Sequence, residues 1–343
     1  MRILIIKLSS MGDVLHALPV LSDIKKHLGN DIQIDWMCEP AYAPLLHDHP
    51  FIHTVHCLPI RKYKSFLKGI YSIEAKQLKQ FLKNNPYDVI IDLQGLLKSA
   101  WVSRWAKGKR FGYDAKSIRE PLASRFYHHT ISVSKEQHAI SRMRELAAKT
   151  LGYPVPTDEA HYSLHTHDQN TSIRLRTIPK LILFPFTTWE SKHWPIEHWE
   201  SFMKLAQHSF EIVIAWGSED EYQKALSLCT ATINSEPIPK LSIEGMKDFL
   251  KNCDAFVGVD TGFSHLATAM NIPGIMLMGP TDKHQSGPLG SQQIALDVNL
   301  PCRPCHKRVC PLPIEPNALR PACLAKISPE RVLKQLLPLI ARP

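Results

Sequence analysis

The chain has 343 residues, 44% of them hydrophobic and 21% charged, a length that exceeds a single hydrophobic core and predicts two domains. No apolar run approaches the roughly 20 residues that a bilayer-crossing helix needs, and Lys7 interrupts the apolar N-terminus too early for a secretory signal, so a cytoplasmic protein is expected. The excess of 41 basic over 32 acidic residues points to an anionic partner, without choosing among a nucleotide, a nucleic acid and an acidic lipid surface.

In chain order, the first half alternates β-rich runs with helical patterns: "RILIIKL", "DVLHALPVLSDIKKHL", "IQIDWM", "HTVHCL", "DVIIDL" and "LLKSAWVSRWAK". That alternation is the signature of parallel strands joined by crossover helices. A helix over about 136–151 precedes the Pro-containing polar stretch "GYPVPTDEAHYSLHTHDQNTS", where a domain boundary is predicted. The pattern restarts with "KLILFPF", "EIVIAWGS", "DAFVGVD" and "GIMLMGP". The resulting expectation is an α/β protein of two strand-and-helix layer structures facing a cleft. The domains are set at 1–165 and 175–327. From about Thr281 to Ile327 the periodicity fails; a last helix, 328–343, is capped by Ser328 and expected to pack back on the N-terminal domain.

Several strand ends gather polar groups. In "KLSSMGDVLHALP" the turn after the first strand offers Asp13, either a first-turn acid favoured by the helix dipole or a general base at the sheet's carboxyl edge. The turn is neither GxGxxG nor a P-loop. In "VGVDTGFSHLATA", Asp260 ends a strand, and Thr261, Gly262, Ser264 and His265 open a helix whose free N–H groups make a phosphate seat. In "FPFTTWESKHWPIEHW", Thr187, Thr188 and Lys192 offer two hydroxyls and a cation suited to a diphosphate leaving group, while Trp194 and Trp199 are expected to pack. "WGSEDE" supplies Glu219 and Glu221 for ribose hydroxyls or for a solvated helix start.

Taken together, "SSMGDVLHALP", "VDTGFSHLATA" and "GPTD" resemble the heptosyltransferases of bacterial lipopolysaccharide inner-core synthesis, over roughly residues 1–290. "IDLQGLLKSA" and "GYDAKSIREPLASRFY" are similar to the member that adds the first heptose. The resemblance implies the GT-B fold, two Rossmann-like domains facing a central cleft, with an N-terminal acceptor domain and a C-terminal ADP-sugar domain. It implies an inverting transfer of L-glycero-D-manno-heptose from ADP-heptose to a Kdo residue of Kdo2-lipid A, with no required cofactor. By position, Asp13 becomes the base and Gly12 lets the backbone turn beneath it. Donor binding falls to Thr187, Thr188, Lys192, Glu221, Met246, Asp260, Thr261, Gly262 and His265, with core packing the other reading of Met246. Acceptor binding falls to Ser10, Gly12, Arg61, Lys62, Lys64, Lys98 and Arg119. An enzyme of this kind sits peripherally on the cytoplasmic face of the inner membrane, its positive charge drawn to the anionic leaflet.

The segment "PCRPCHKRVCPLPIEPNALRPAC" places Cys302, Cys305, Cys310 and Cys323 where four thiolates could complete a structural zinc site; reduced surface cysteines in a Pro-ordered loop are the other reading. This loop is more like that of the second heptosyltransferase, which leaves a heptosylated core open as acceptor. A sugar-nucleotide epimerase has a similar two-domain build. A nucleic-acid binder lacks support, since no stacking platform or concentrated basic stripe is present.

Overall fold

A computed structural model of the chain describes residues 1–63, 66–164, 178–230, 232–313 and 318–340. The chain divides into two compact units, Met1–Leu164 and His165–Pro343. In the first unit the strands are β1 (Arg2–Ile6), β2 (Gln33–Cys38), β3 (Thr54–Cys57), β4 (Val89–Asp92), β5 (Lys109–Tyr113) and β6 (His129–Ile131). They form one six-stranded sheet in the order β3-β2-β1-β4-β5-β6. Every pairing in it is parallel.

The second unit repeats the plan with β7 (Lys180–Phe184), β8 (Glu211–Ile214), β9 (Ser235–Pro237), β10 (Ala255–Val259), β11 (Gly274–Leu277) and β12 (Gln293–Leu296). Their order is β12-β11-β10-β7-β8-β9, again parallel throughout. In both sheets the order reverses beside the first strand, between β1 and β4 and between β7 and β10. In such sheets the crevice outside the strand ends at the reversal is where ligands collect.

The central strands are apolar runs because both faces are covered; Ile3 to Ile6 and Ala255 to Val259 are all buried. The run predicted as one helix over 13–28 is two, Met11–Ala17 and Pro19–Leu28. Pro19 has no N–H to give and its ring crowds the preceding turn, so the helix is interrupted at Leu18. The helix predicted over 136–151 runs Ala139–Leu151 and ends on Gly152 in the left-handed conformation at φ 78°.

The C-terminal helix, Pro329–Ile340, corrects one expectation. It packs on the helix Ile196–Ala206 and on β11 and β12 of the second unit. Its fully buried Val332 and Leu336 share a core with Leu181, Trp199, Phe202, Ile275 and Leu277. A helix with apolar residues at positions 332, 333, 336 and 340 must cover one stripe, and the second sheet offers the open apolar face.

Candidate functional site

In the first unit β1 runs on through Lys7 and Leu8 into the turn at Ser9 and Ser10, and Ser10 is the N-cap of the helix Met11–Ala17. Asp13 is the third residue of that helix. Its Oδ2 accepts the Ser10 backbone N–H at 2.9 Å and the Ser10 hydroxyl at 2.6 Å. Its Oδ1 lies 3.8 Å from Nζ of Lys7, whose side chain is only 7% exposed while that of Asp13 is 49% exposed. Partial burial raises the Asp13 carboxyl; the Lys7 charge and the two Ser10 donors outweigh it and bring it down to about 2. The product is an ionised carboxylate, fixed on one edge and open to solvent on the other.

Lys7 is the residue that sequence reasoning passed over. Burial pulls its ammonium below the ordinary range, and the charges of Asp13 and Asp92 oppose that pull. Asp92 ends β4, next to β1 at the reversal point, and burial raises its carboxyl. Its Oδ2 accepts the Tyr127 hydroxyl at 2.7 Å, and its Oδ1 accepts the backbone N–H groups of Gln94 and Gly95 at 2.8 and 3.2 Å. Gln94 in turn receives the Leu8 and Ser9 amides on its Oε1 at 3.0 and 3.1 Å. The turn that presents Asp13 is thus held by the neighbouring strand, through residues about 85 positions away. A lysine closing an otherwise apolar strand was the available signal for this layer.

Of the basic residues expected around the acceptor, Lys98 is brought to this turn, its Nζ 3.3 Å from the Ser9 hydroxyl and 3.8 Å from Glu39. Arg119 is exposed, and its charge reaches Lys7. Lys62 is engaged elsewhere, 2.8 Å from Glu74 and over the Tyr63 ring. Lys64 and the side chain of Arg61 lie outside the described residues. Gly12 sits inside the first helical turn and is absent from the positive-φ glycines, so it does not make the turn beneath Asp13.

In the second unit Asp260 follows β10, and the helix Gly262–Ala269 begins two residues on. Asp260 is buried and fully engaged: Oδ1 is 3.1 Å from His265 Nε2, and Oδ2 is 2.7 Å from Lys192 Nζ and accepts the Thr281 hydroxyl at 2.7 Å. Burial raises this carboxyl, but the His265 bond and the Lys192 charge overcome that and hold it far below the usual carboxylate range. Lys192 also lies over the Trp189 ring at 4.8 Å. Thr261 is the N-cap and makes no side-chain capping bond, so its hydroxyl does not take up the first-turn N–H groups of the helix.

Thr187 follows β7, and His193 Nε2 lies 2.8 Å from its carbonyl oxygen and 3.2 Å from its backbone N, donating to the first or accepting from the second according to the tautomer; Thr188 is exposed. Glu221 turns its Oε2 onto the Gly217 and Ser218 amides at 2.7 and 3.2 Å, closing the turn after β8, while Glu219 takes the Gln223 amide. Met246 is 1% exposed on the helix Ile243–Leu250, a core position.

The Cys-rich segment has a different part from the zinc site considered. All four cysteines are free thiols, and among the described residues no group of three His, Cys, Asp or Glu side chains comes together to hold a metal ion. Instead Arg303 donates to the carbonyls of Gly279 at 2.5 Å, Met278 at 3.0 Å and Thr281 at 3.2 Å, and pairs with Asp297 at 3.0 Å. The same segment receives the Ser191 amide on Arg308 O at 3.0 Å and the Ser191 hydroxyl on Lys307 O. It clamps the two turns that carry Thr281 and Lys192, and so indirectly holds Asp260. Thr281 and Arg303 are further residues that spacing did not reveal.

Each sheet therefore brings an aspartate to its reversal point. One is open and suited to take a proton; the other is closed and holds a lysine and a histidine next to a helix start without a side-chain cap, an arrangement suited to a phosphate.

The family model described as glycosyltransferase family 9 (heptosyltransferase) matches residues 75–314. Lipopolysaccharide heptosyltransferase 1 of Pseudomonas aeruginosa is 36% identical over 100% of this chain and 99% of its own length. The structure of E. coli heptosyltransferase WaaC with ADP superposes with a TM-score of 0.84 at 32% identity, covering 99% of this chain and 100% of that one. The same enzyme with ADP-2-deoxy-2-fluoro heptose gives 0.80 at 33% identity, over 98% and 99%. The fold is accordingly α/β of the GT-B class.

Proposed function

The chain belongs to glycosyltransferase family 9, the heptosyltransferases, and from that premise we propose that it moves L-glycero-D-manno-heptose from ADP-heptose to a Kdo residue of Kdo2-lipid A, inverting the anomeric centre. The observation that carries this reading is the closed cluster of Lys192, Asp260, His265 and Thr281 beside the helix start at Gly262, a seat for a diphosphate built from protein cations and N–H groups. ADP-2-deoxy-2-fluoro heptose bound to the E. coli relative supports ADP-heptose as donor. Similarity to heptosyltransferase 1 supports Kdo2-lipid A as acceptor.

In this reading the acceptor oxygen attacks the anomeric carbon as the bond to the diphosphate breaks. The bonding pair leaves on ADP, whose growing charge is met by Lys192 and the helix N-terminus. The acceptor's proton passes to Asp13. At about 2 the free carboxylate is a weak base, so the transfer occurs as the new C–O bond acidifies the attacking hydroxyl. Covering the exposed half of Asp13 with acceptor removes solvent and raises its basicity. Lys98 and Arg119 are assigned to the acceptor's anionic groups. The reaction needs no metal in this scheme, since positive charge is already present at the leaving group.

Among the described residues no helix is long and apolar enough to cross a membrane, and the acceptor is a lipid, so a peripheral position on the cytoplasmic face of the inner membrane is the matching location. The test is to incubate the purified chain with ADP-heptose and a panel of Kdo2-lipid A and heptosylated core acceptors, and to follow product mass. One heptose added to Kdo2-lipid A is expected. Transfer to heptosylated cores alone would assign a later step, and donor conversion without acceptor would assign an epimerase.

A further inference from the structure

Between the helix Leu97–Ser103 and the 3-10 helix Pro121–Phe126 lies a cavity of about 660 Å³. Arg104, Arg110, Arg125 and His128 line it, with no acidic side chain among its lining residues. Glu120, adjacent in sequence, accepts the Leu97 amide at 2.6 Å. Burial and then the Arg104 charge push the Arg110 guanidinium below its ordinary value, as expected where like charges are crowded.

The hydrogen bonding in the cavity sets donors against one another. Arg110 presents its backbone N–H to Nδ1 of His128 at 3.0 Å and its Nη2 to Nε2 of the same ring at 2.8 Å. A neutral imidazole has one acceptor nitrogen, and a protonated one has none. Whichever tautomer is present, at least one of these contacts sets two N–H donors face to face. An oxyanion oxygen placed against both would accept from each and relieve the repulsion.

The rim is apolar and exposed. Leu97 is 40% exposed, Trp101 43% and Leu122 56%. The Arg104 guanidinium lies over the Trp101 ring at 5.5 Å and the Phe126 ring at 5.9 Å. Arginines seated among outward-facing leucine and tryptophan suit the boundary between headgroups and acyl chains, where a phosphate and hydrocarbon are met together. A polynucleotide would use the cations but leave the leucines in water.

We propose that this cavity is a phosphate pocket for an anionic phospholipid of the bilayer, with Leu97, Trp101 and Leu122 entering the headgroup layer. The inference deepens the reading above, in which the acceptor is a membrane lipid. Lys98, next to Leu97 on the same helix, touches the Ser9 hydroxyl beside Asp13, so docking through this helix brings the catalytic turn to the surface that carries the acceptor.

Co-sedimentation with phosphatidylcholine vesicles, with and without phosphatidylglycerol, tests this with neither donor nor acceptor present, so it stands apart from the transfer reading. The wild type is expected to partition onto the anionic vesicles alone. Arg104→Ser combined with Arg125→Ser, both exposed positions, should weaken that partition by roughly 30-fold, the worth of two basic side chains at an anionic surface. Leu122→Ser should weaken it while leaving the salt dependence unchanged. Both variants should transfer to an acceptor stripped of its acyl chains at the wild-type rate. Unchanged partition of the double variant would overturn the proposal, as would an equal loss of transfer to the soluble acceptor, which would assign the pocket to the acceptor seat. Preferential retention of single-stranded RNA over vesicles would also overturn it.

Discussion

Asp13→Asn separates the two aspartate sites most cleanly. The asparagine carbonyl can replace Oδ2 as acceptor of the two Ser10 donors at 2.9 and 2.6 Å, so the helix start is kept. What disappears is the charge facing Lys7 at 3.8 Å and, with it, the lone pair to which the proposed mechanism passes the proton. Loss of a positioned general base costs about 10²–10⁴ in rate, or about 3–5 kcal/mol of transition-state stabilisation. ADP affinity, set by residues of the second unit, should not move. Initial rates by product mass and calorimetric titration of ADP check the two halves. A rate within tenfold of wild type would remove Asp13 from the chemistry, and a parallel loss of ADP binding would show that the substitution acts through the fold. The acid side gives a further check. The folded Asp13 carboxyl lies at about 2, below its ordinary 3.8, so its ionised form adds stability above 3.8 that is lost as pH falls through about 2. The Asn variant lacks that part of the acid dependence.

Lys192→Met leaves the buried Asp260 without the cation 2.7 Å away, and breaking such a pair is expected to cost about 3–5 kcal/mol of second-unit stability. Chemical denaturation measures this, while unchanged calorimetric ADP affinity would take Lys192 out of the diphosphate seat. Because Asp260 is held below the usual carboxylate range, its ionised form stabilises the fold above that range and the effect fades on acidification; in Lys192→Met the loss begins at higher pH. Cys302, Cys305 and Cys310 replaced together by Ser should transfer at the wild-type rate, with or without chelator, and a wild-type rate abolished by chelation would restore a metal site. Leu336→Ala removes a fully buried side chain from the second core and should cost about 2–5 kcal/mol, read from the fluorescence of the Trp194 and Trp199 cluster; an unaffected transition there would return the helix to the other unit.

How much of this was legible depends on how far apart in sequence the partners lie. The central strands announce themselves as short apolar runs, because burial on both faces demands it. Three outer strands do not: β6 and β9, at sheet edges, have three residues each, β9 contains Pro237, and β5, beside β6, opens on Lys109 and Arg110. The turns bearing Asp13, Lys192 and Asp260 could be located because each follows such an apolar run. Their supports could not. Thr281 reaches Asp260 across 21 positions, Tyr127 reaches Asp92 across 35, and Gln94 reaches Leu8 across 86. Those contacts exist only because parallel crossovers bring distant strand ends side by side. The cysteine spacing suggested a metal because four thiols were the salient chemistry, whereas the working residue of that segment is Arg303, which no spacing rule marks.

The two aspartates show why position alone left their roles open. Both follow a central strand at the point where strand order reverses, both stand at a helix start, and both have a lysine within 4 Å that favours the ionised form. The difference is in coordination. Asp260 has a side-chain exposure of 7% and spends both oxygens on His265, Lys192 and Thr281, so that it holds those three side chains in place. Asp13 is 49% exposed, with one oxygen taken by Ser10 and the other met only by Lys7 at the longer distance of 3.8 Å. One topology thus gives the same amino acid a closed and an open setting, according to how many donors the surrounding turns supply, and the open one is the setting the proposed base requires. Adding a donor to the Asp13 turn, or removing Thr281 from Asp260, would move each aspartate towards the other's role.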